Sequence, residues 1–136
     1  MSTAQSIPDE LRESRRSQWL GWMESIASDV KVWAESAGWL VHRNQKEMDE
    51  PGLGNYEAPV LQIKTPSGHL IVEPVALQVI GAQARIDLYA WPSLNRVKLV
   101  RIKDQWTVRT DSGIDWPKAW SRETFLELAQ QLTSAA

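Results

Sequence analysis

Few side chains in this sequence carry metal-binding or nucleophilic chemistry. The 136-residue chain has two histidines, His42 and His69, and no cysteine, which excludes thiol catalysis and zinc sites built from cysteine ligands. His69 and Glu73 fall on one side of a predicted strand, but four residues of strand span about 13 Å, too far for both to bind one ion. We therefore expect no catalytic residue, no metal site and no cofactor.

A second pattern combines an acidic residue with a basic strand. Asp87 lies in one predicted strand, and the next strand ends in Arg101-Ile102-Lys103. Preceded by a helix and by Gly38-Trp39-Leu40-Val41, this layout resembles the PD-(D/E)XK nuclease superfamily. The resemblance implies that Asp87 and Lys103 occupy the places of a metal-binding acid and the lysine that together serve Mg²⁺-dependent phosphodiester attack. Arg101 replaces the second acid and would repel the metal, so this alternative is a catalytically degenerate, nucleic-acid-binding protein.

The tripeptide Asp111-Ser112-Gly113 matches the Asp-Ser/Thr-Gly sequence of aspartic proteases. Their chemistry needs two such carboxylates that share a proton, which one short chain supplies only as a homodimer. The stretch that follows Gly113 is mostly helical in pattern and lacks the further strands of such a fold. We therefore interpret the tripeptide as a turn that ends a strand.

Charge is balanced overall but unevenly distributed. The chain has 15 basic and 17 acidic residues, a net charge of -2, which does not favour general electrostatic binding of nucleic acid. The region 47–57 contains acidic residues and neither Lys nor Arg, whereas the region 96–109 is basic. The basic region is either an ordinary solvated surface or a docking surface for an acidic partner.

The N-terminal region predicts a helix. Ser6-Ile7-Pro8-Asp9 is typical of a helix start, and apolar residues then recur with helical spacing up to Gly38, a predicted C-terminal residue. Gly21 marks a possible break, since glycine costs about 1 kcal/mol in a helix interior. The predicted apolar stripe consists of Trp19, Trp22, Ile26, Val30, Trp33 and Ala37.

The middle of the chain predicts strands. We expect a short first strand at 39–43 and then a long, acidic, mobile surface loop at 44–59, because that segment has no hydrophobic period and contains Pro51-Gly52-Leu53-Gly54. The connections between the later strands are too short for parallel crossovers, so they predict an antiparallel meander. These later strands are 60–65, 69–73, 84–91, 96–103 and 106–110, and 75–80 is either a further strand or a bent continuation past Pro74.

A second helix is predicted after Ser121, with one apolar face that includes Phe125 and Leu128. The fold class is therefore α+β: an antiparallel β-meander with N-terminal and C-terminal helices packed on one face, in a single domain spanning 1–136. The polar N-terminus and the lack of a long apolar run predict a cytoplasmic protein without membrane association.

Alternation along 84–91 indicates which residues line the other sheet face. Ala84, Ile86, Leu88 and Ala90 share one side, and we expect most of the eight tryptophans, Trp106 included, to lie in the core. Trp91 is the exception, because it lies beside Tyr89 on the polar side. Exposed aromatic residues beside arginine are typical of protein-binding surfaces. We expect a non-enzymatic module that binds a partner protein, or a second copy of itself, through this basic and aromatic face. The candidate residues are Arg85, Asp87, Tyr89, Trp91, Arg101, Lys103 and Arg109.

Overall fold

The first helix, α1, runs without interruption from Asp9 to Ser36. The structure is a computed structural model that describes residues 9–76, 82–110 and 116–134, so the predicted start at 6–8 and the last part of the strand expected at 75–80 lie outside the described residues. The predicted break at Gly21 is wrong. The burial of Trp19 and Met23 on either side of Gly21 stabilises the helix enough to offset the intrinsic cost of one glycine.

The apolar stripe of α1 is confirmed in part. Trp22 and Trp33 are only partly buried. The buried residues of α1 are Trp19, Met23, Ile26, Ala27, Val30 and Ala34. The helix ends as expected at Gly38, whose φ of 83° lies in the left-handed region that glycine tolerates.

Six antiparallel strands follow in the order of the chain and confirm the predicted meander. The strands are β1 (Leu40–Glu50), β2 (Gly54–Thr65), β3 (Gly68–Ala76), β4 (Ala84–Trp91), β5 (Arg96–Ile102) and β6 (Gln105–Arg109).

The expectation of a mobile loop at 44–59 is wrong. This segment forms most of a long hairpin in which β1 and β2 pair without a break in register from Leu40 opposite Lys64 to Glu50 opposite Gly54. The hairpin lacks an alternating apolar pattern because most of β1 is exposed, so its strand pairing left no hydrophobic period in the sequence.

The end of this hairpin is attached to α1 by polar contacts. Trp19 Nε1 donates to the hydroxyl of Tyr56 at 2.6 Å, and that hydroxyl donates to the carboxylate of Glu50. Arg16 donates to the carbonyl of Leu53 at 2.9 Å. Burial, followed by the interaction with Glu50, raises the pKa of Tyr56, so the phenol stays a donor.

Both helices lie against one face of the sheet. The second helix, α2, spans Arg122–Ser134, and Ser121 caps it as predicted, with its Oγ accepting from the Thr124 amide at 3.2 Å. The covered face of the sheet contributes the buried residues Leu61, Ile63, Leu70, Val72, Ile86, Leu88, Val97, Leu99 and Val108.

Aromatic rings close one end of this core. Phe125 is fully buried, and its ring centroid lies 5.9 Å from Trp33, 6.1 Å from Trp120 and 6.3 Å from Trp39. Within the described ranges, neither helix is long and apolar enough to span a membrane.

The contacts of Tyr56 predict that Tyr56→Phe loosens the end of the β1–β2 hairpin. The substitution leaves the buried indole N–H of Trp19 without its acceptor, which costs about 1 to 3 kcal/mol of unfolding free energy. Urea unfolding measures the loss, and hydrogen exchange should increase mainly in 47–57.

Asn55→Ala is the matched control, because Asn55 is exposed on the same hairpin and should change stability by less than about 0.5 kcal/mol. Equal stability of Tyr56→Phe and the wild type would contradict the attachment of the hairpin to α1.

Candidate binding face

The side chains of β4 alternate between the two sides of the sheet, as the sequence predicts. Ala84, Ile86, Leu88 and Ala90 are buried, on the side that α1 and α2 cover. The opposite side carries Arg85, Asp87, Tyr89 and Trp91. We call this side of the sheet the uncovered face, because no helix of the described chain packs on it.

Strand registers align the side chains of the uncovered face in rows that cross the sheet. The first row is Leu40, Lys64, His69 and Trp91; the second is His42, Gln62, Ile71, Tyr89 and Arg96; the third is Glu73, Asp87, Lys98 and Arg109.

Asp87 lies at the centre of the third row and is only 2% exposed. Arg85 donates to both of its carboxylate oxygens, at 2.7 and 2.9 Å, and Arg96 donates a third bond at 2.6 Å. The guanidinium of Arg96 also lies over the Tyr89 ring, 4.9 Å from its centroid. A buried carboxylate needs ion pairs or hydrogen bonds to offset its loss of hydration. These bonds also hold Arg85 and Arg96 in fixed positions.

Glu73 forms a second polar centre beside Asp87. Its carboxylate accepts from Lys46 Nζ at 2.6 Å and from the Tyr89 hydroxyl at 2.7 Å. Burial acts to raise the pKa of Glu73, but these two hydrogen bonds outweigh it and hold the pKa below its ordinary value. Burial and the bond to Glu73 raise the pKa of Tyr89 to about 12.

A shallow trough follows the first two rows. One depression of about 480 Å³ is lined by Gln62, His69, Ile71, Tyr89 and Trp91. A smaller one of about 160 Å³ shares Gln62 and His69 and extends to Leu40. Trp91 is 57% exposed, as expected, and Leu40 is 70% exposed, so both ends of the first row present apolar surface to solvent.

The uncovered face is basic. Its two carboxylates, those of Glu73 and Asp87, are already bonded to cations of the same chain. Lys64 and Lys98 make no ion pair with any described residue. The basic side chains on or reaching this face are Lys46, Lys64, Arg85, Arg96, Lys98 and Arg109.

Two of the predicted face residues lie elsewhere. Arg101 is opposite Ala84 and therefore lies on the helix-covered side, with its guanidinium 4.4 Å from the Trp22 ring centroid and 5.5 Å from that of Trp106. Lys103 is in the turn between β5 and β6, with a φ of 51°. The placement of Arg101 was wrong because the register of β5 against β4 decides its side, and that of Lys103 was wrong because β5 ends at Ile102.

The same register removes the geometry that the nuclease resemblance requires. Asp87 lies opposite Lys98, not near Arg101, so the residues in the places of the acid-x-Lys pair do not converge with Asp87. Asp111-Ser112-Gly113 lies outside the described residues. Among the described side chains, no group of three or more His, Asp or Glu residues is placed to hold a metal ion.

Three tryptophans that were expected in the core, Trp22, Trp33 and Trp106, are only partly buried. Trp106 packs against the guanidinium of Arg101. The Nε of Arg101 is buried and has no hydrogen-bond partner among the described residues. A stack of Trp22, Arg101 and Trp106 thus closes the covered side of the sheet near β6, which the strand pattern alone does not reveal.

Several residues of the uncovered face were not predicted as binding residues, and His69 and Glu73 were considered only as metal ligands. Gln62, Lys64, His69, Ile71 and Glu73 come from the β2–β3 hairpin, whose alternation of apolar and polar residues is the signal that identifies this side. Lys46 had no such signal, because residues 44–50 of β1 were assigned to a loop.

Searches against family models, curated proteins and solved structures found no match to this chain.

The contacts of Asp87 predict that Asp87→Asn destabilises the protein. The amide keeps the shape of the side chain but replaces one acceptor oxygen with a donor that faces guanidinium groups, which costs about 2 to 3 kcal/mol. Chemical denaturation measures this loss. Lys98→Ala, directly across from Asp87, is the control and should stay within about 0.5 kcal/mol of the wild type.

Glu73 predicts a specific dependence of stability on pH. Its pKa in the folded protein lies below the ordinary value of 4.5, so its contribution is fully present above that value and is lost as the pH falls through the lowered pKa. Glu73→Gln should therefore be less stable than the wild type at neutral pH, and the difference in stability should shrink on acidification.

Urea unfolding from neutral pH to below the ordinary pKa of Glu73 tests this prediction. A difference in stability that does not vary with pH would contradict it. Tyr89→Phe, which removes one of the two bonds, should show a smaller effect with the same sign.

Proposed function

We propose that this protein is a binding module whose uncovered face binds an acidic partner protein. One observation carries the proposal: the face combines basic side chains with an exposed tryptophan, while both of its carboxylates are already paired within the chain.

The electrostatic part of the proposal rests on which charges are available. Asp87 and Glu73 hold Arg85, Arg96 and Lys46 in place, and Lys64 and Lys98 extend the positive charge across the sheet. A partner that brings carboxylates to this face is attracted over a longer range and associates faster, especially at low salt. Because arginines already held by Asp87 lose little side-chain freedom on binding, the entropic cost of the complex is lower.

The apolar part of the proposal rests on Trp91. A large aromatic ring with more than half of its surface exposed is typical of residues that dominate binding energy. The trough beside it includes Ile71 and the ring of Tyr89, which provides a flat apolar floor. The first row crosses four strands, about 14 Å at ordinary strand spacing, which suits a short acidic segment with one apolar side chain placed against Trp91.

An acidic protein is favoured over nucleic acid for two reasons. The net charge of the chain is -2, and the end of the β1–β2 hairpin presents Glu47, Asp49 and Glu57 on its exposed surface. These carboxylates repel a phosphate backbone that extends beyond the basic rows.

A titration with defined probes tests the proposal. We expect a polyglutamate peptide carrying one leucine to shift the NMR signals of the Trp91 indole and of the Lys64 and His69 amides. Trp91→Ala and Lys64→Glu should each weaken this binding at least tenfold, because each removes one of the two contributions.

The controls keep the same chemistry on another surface. Val32→Ala alters a side chain on α1 that is 60% exposed, and Lys31→Glu reverses a charge on the same helix; neither should change the affinity. Tighter binding of an oligothymidylate of equal charge would favour nucleic acid. Equal affinity of the wild type and the Trp91→Ala and Lys64→Glu variants would overturn the proposed face.

A further inference from the structure

The outer edge of β1 is open over a length that natural sheets seldom leave unprotected. This strand has 11 residues and is the first in the sheet order. No other strand of the described chain pairs with its outer side. The opposite edge is short and partly closed: β6 has five residues, and the Trp116 amide donates to the Val108 carbonyl at 2.7 Å.

β1 contains neither proline nor a β-bulge, two features that prevent an edge from pairing, although it carries a third, charged side chains. The strand also contains no glycine. An exposed edge of this length presents unpaired N–H and C=O groups at alternate residues and serves as a template for another strand.

The charges of β1 indicate which strand fits this open edge. The basic residues His42, Arg43 and Lys46 come before the acidic residues Glu47, Asp49 and Glu50 along the strand. An antiparallel copy of the same strand therefore brings basic positions of one copy near acidic positions of the other. With the two-fold axis at Gln45, Arg43 lies opposite Glu47 of the second copy, and the symmetry produces this pair twice.

Neighbouring symmetric registers are less favourable. An axis at Asn44 places Arg43 opposite Gln45 and loses both ion pairs. An axis at Lys46 places Arg43 opposite Asp49, but it also places Lys46 opposite itself and leaves Leu40 and Val41 without partners. The register centred on Gln45 also uses the full length of β1.

Contacts within one copy favour the same arrangement. Glu47 lies directly opposite Glu57 of β2, an unfavourable like-charge neighbour in a strand pair. Arg43 is held by Glu24 of α1, and the bond raises the pKa of Arg43 and lowers that of Glu24. An ordered Arg43 from a second copy offsets the repulsion between Glu47 and Glu57.

We propose that two copies of this chain associate edge to edge through β1, antiparallel and centred on Gln45, to form one continuous twelve-stranded sheet. This interface is separate from the uncovered face, which stays accessible in both copies. The proposal therefore does not depend on the function proposed above.

Charge reversal at the two paired positions tests the proposal. Sedimentation velocity should show a concentration-dependent dimer for the wild type. Glu47→Arg should weaken the dimer at least tenfold, because arginine then faces Arg43 of the second copy. The monomer should fold at least as well as before, since the substitution also removes the like-charge pair with Glu57.

Arg43→Glu should weaken the dimer in the same way, and its lost surface pair with Glu24 costs the fold at most about 1 kcal/mol. An equimolar mixture of Glu47→Arg and Arg43→Glu should restore dimers, because each chain then meets its complement. A monomeric wild type, or a mixture that stays monomeric, would overturn the proposal.

Cross-linking tests the register independently. The chain has no cysteine, so Gln45→Cys introduces a single thiol that the proposed axis places opposite its equivalent, within disulfide distance. Mild oxidation should link this variant rapidly. Gln62→Cys, on interior strand β2, is the control; equal rates of linkage for the two variants would contradict the proposed register.

Discussion

Two helices cover only one face of a six-stranded antiparallel sheet, and the remaining features of this protein depend on that limit. Burial of the apolar side of β2–β6 beneath α1 and α2 provides the main stabilisation. The aromatic rings around Phe125 close the core where α1, the start of β1 and α2 meet. No described part of the chain forms a layer above the other side of the sheet, so interactions within that face order its described residues.

Ion pairs and hydrogen bonds supply that order. Asp87 is buried although no helix covers it, because Arg85 and Arg96 enclose its carboxylate, and Glu73 joins Lys46 and Tyr89 in the same way. Such centres contribute less to stability than apolar packing, since desolvation offsets much of their attraction. Their main consequence is a set of cations held in fixed positions beside an exposed indole, which is the basis of the binding function that we propose.

The face and the edge of the sheet are two separate surfaces. The uncovered face presents side chains, whereas the outer side of β1 presents backbone groups and a charge pattern that is complementary to itself. Association through β1 leaves Trp91 accessible in each copy, so a dimer would display two uncovered faces on one sheet. A bivalent partner would then bind more tightly than either face alone allows.

Local patterns in the sequence determined the elements with a clear hydrophobic period. Helix α1, the β2–β3 hairpin, the alternation of β4 and the capped α2 are each encoded by a local pattern, and all four were predictable, although Trp22 and Trp33 of the α1 stripe are only partly buried. So was the exposure of Trp91, because neighbours within one strand settle its side. Tertiary structure decided the rest. β1 is a strand because β2 pairs with it and because Trp19 and Arg16 hold its hairpin against α1, and residues distant in sequence supply both. Arg101 lies on the covered side because the register of β5 places it opposite Ala84; both alternating sides of β5 mix apolar and basic residues, so its own sequence, unlike that of β4, does not show which side is buried.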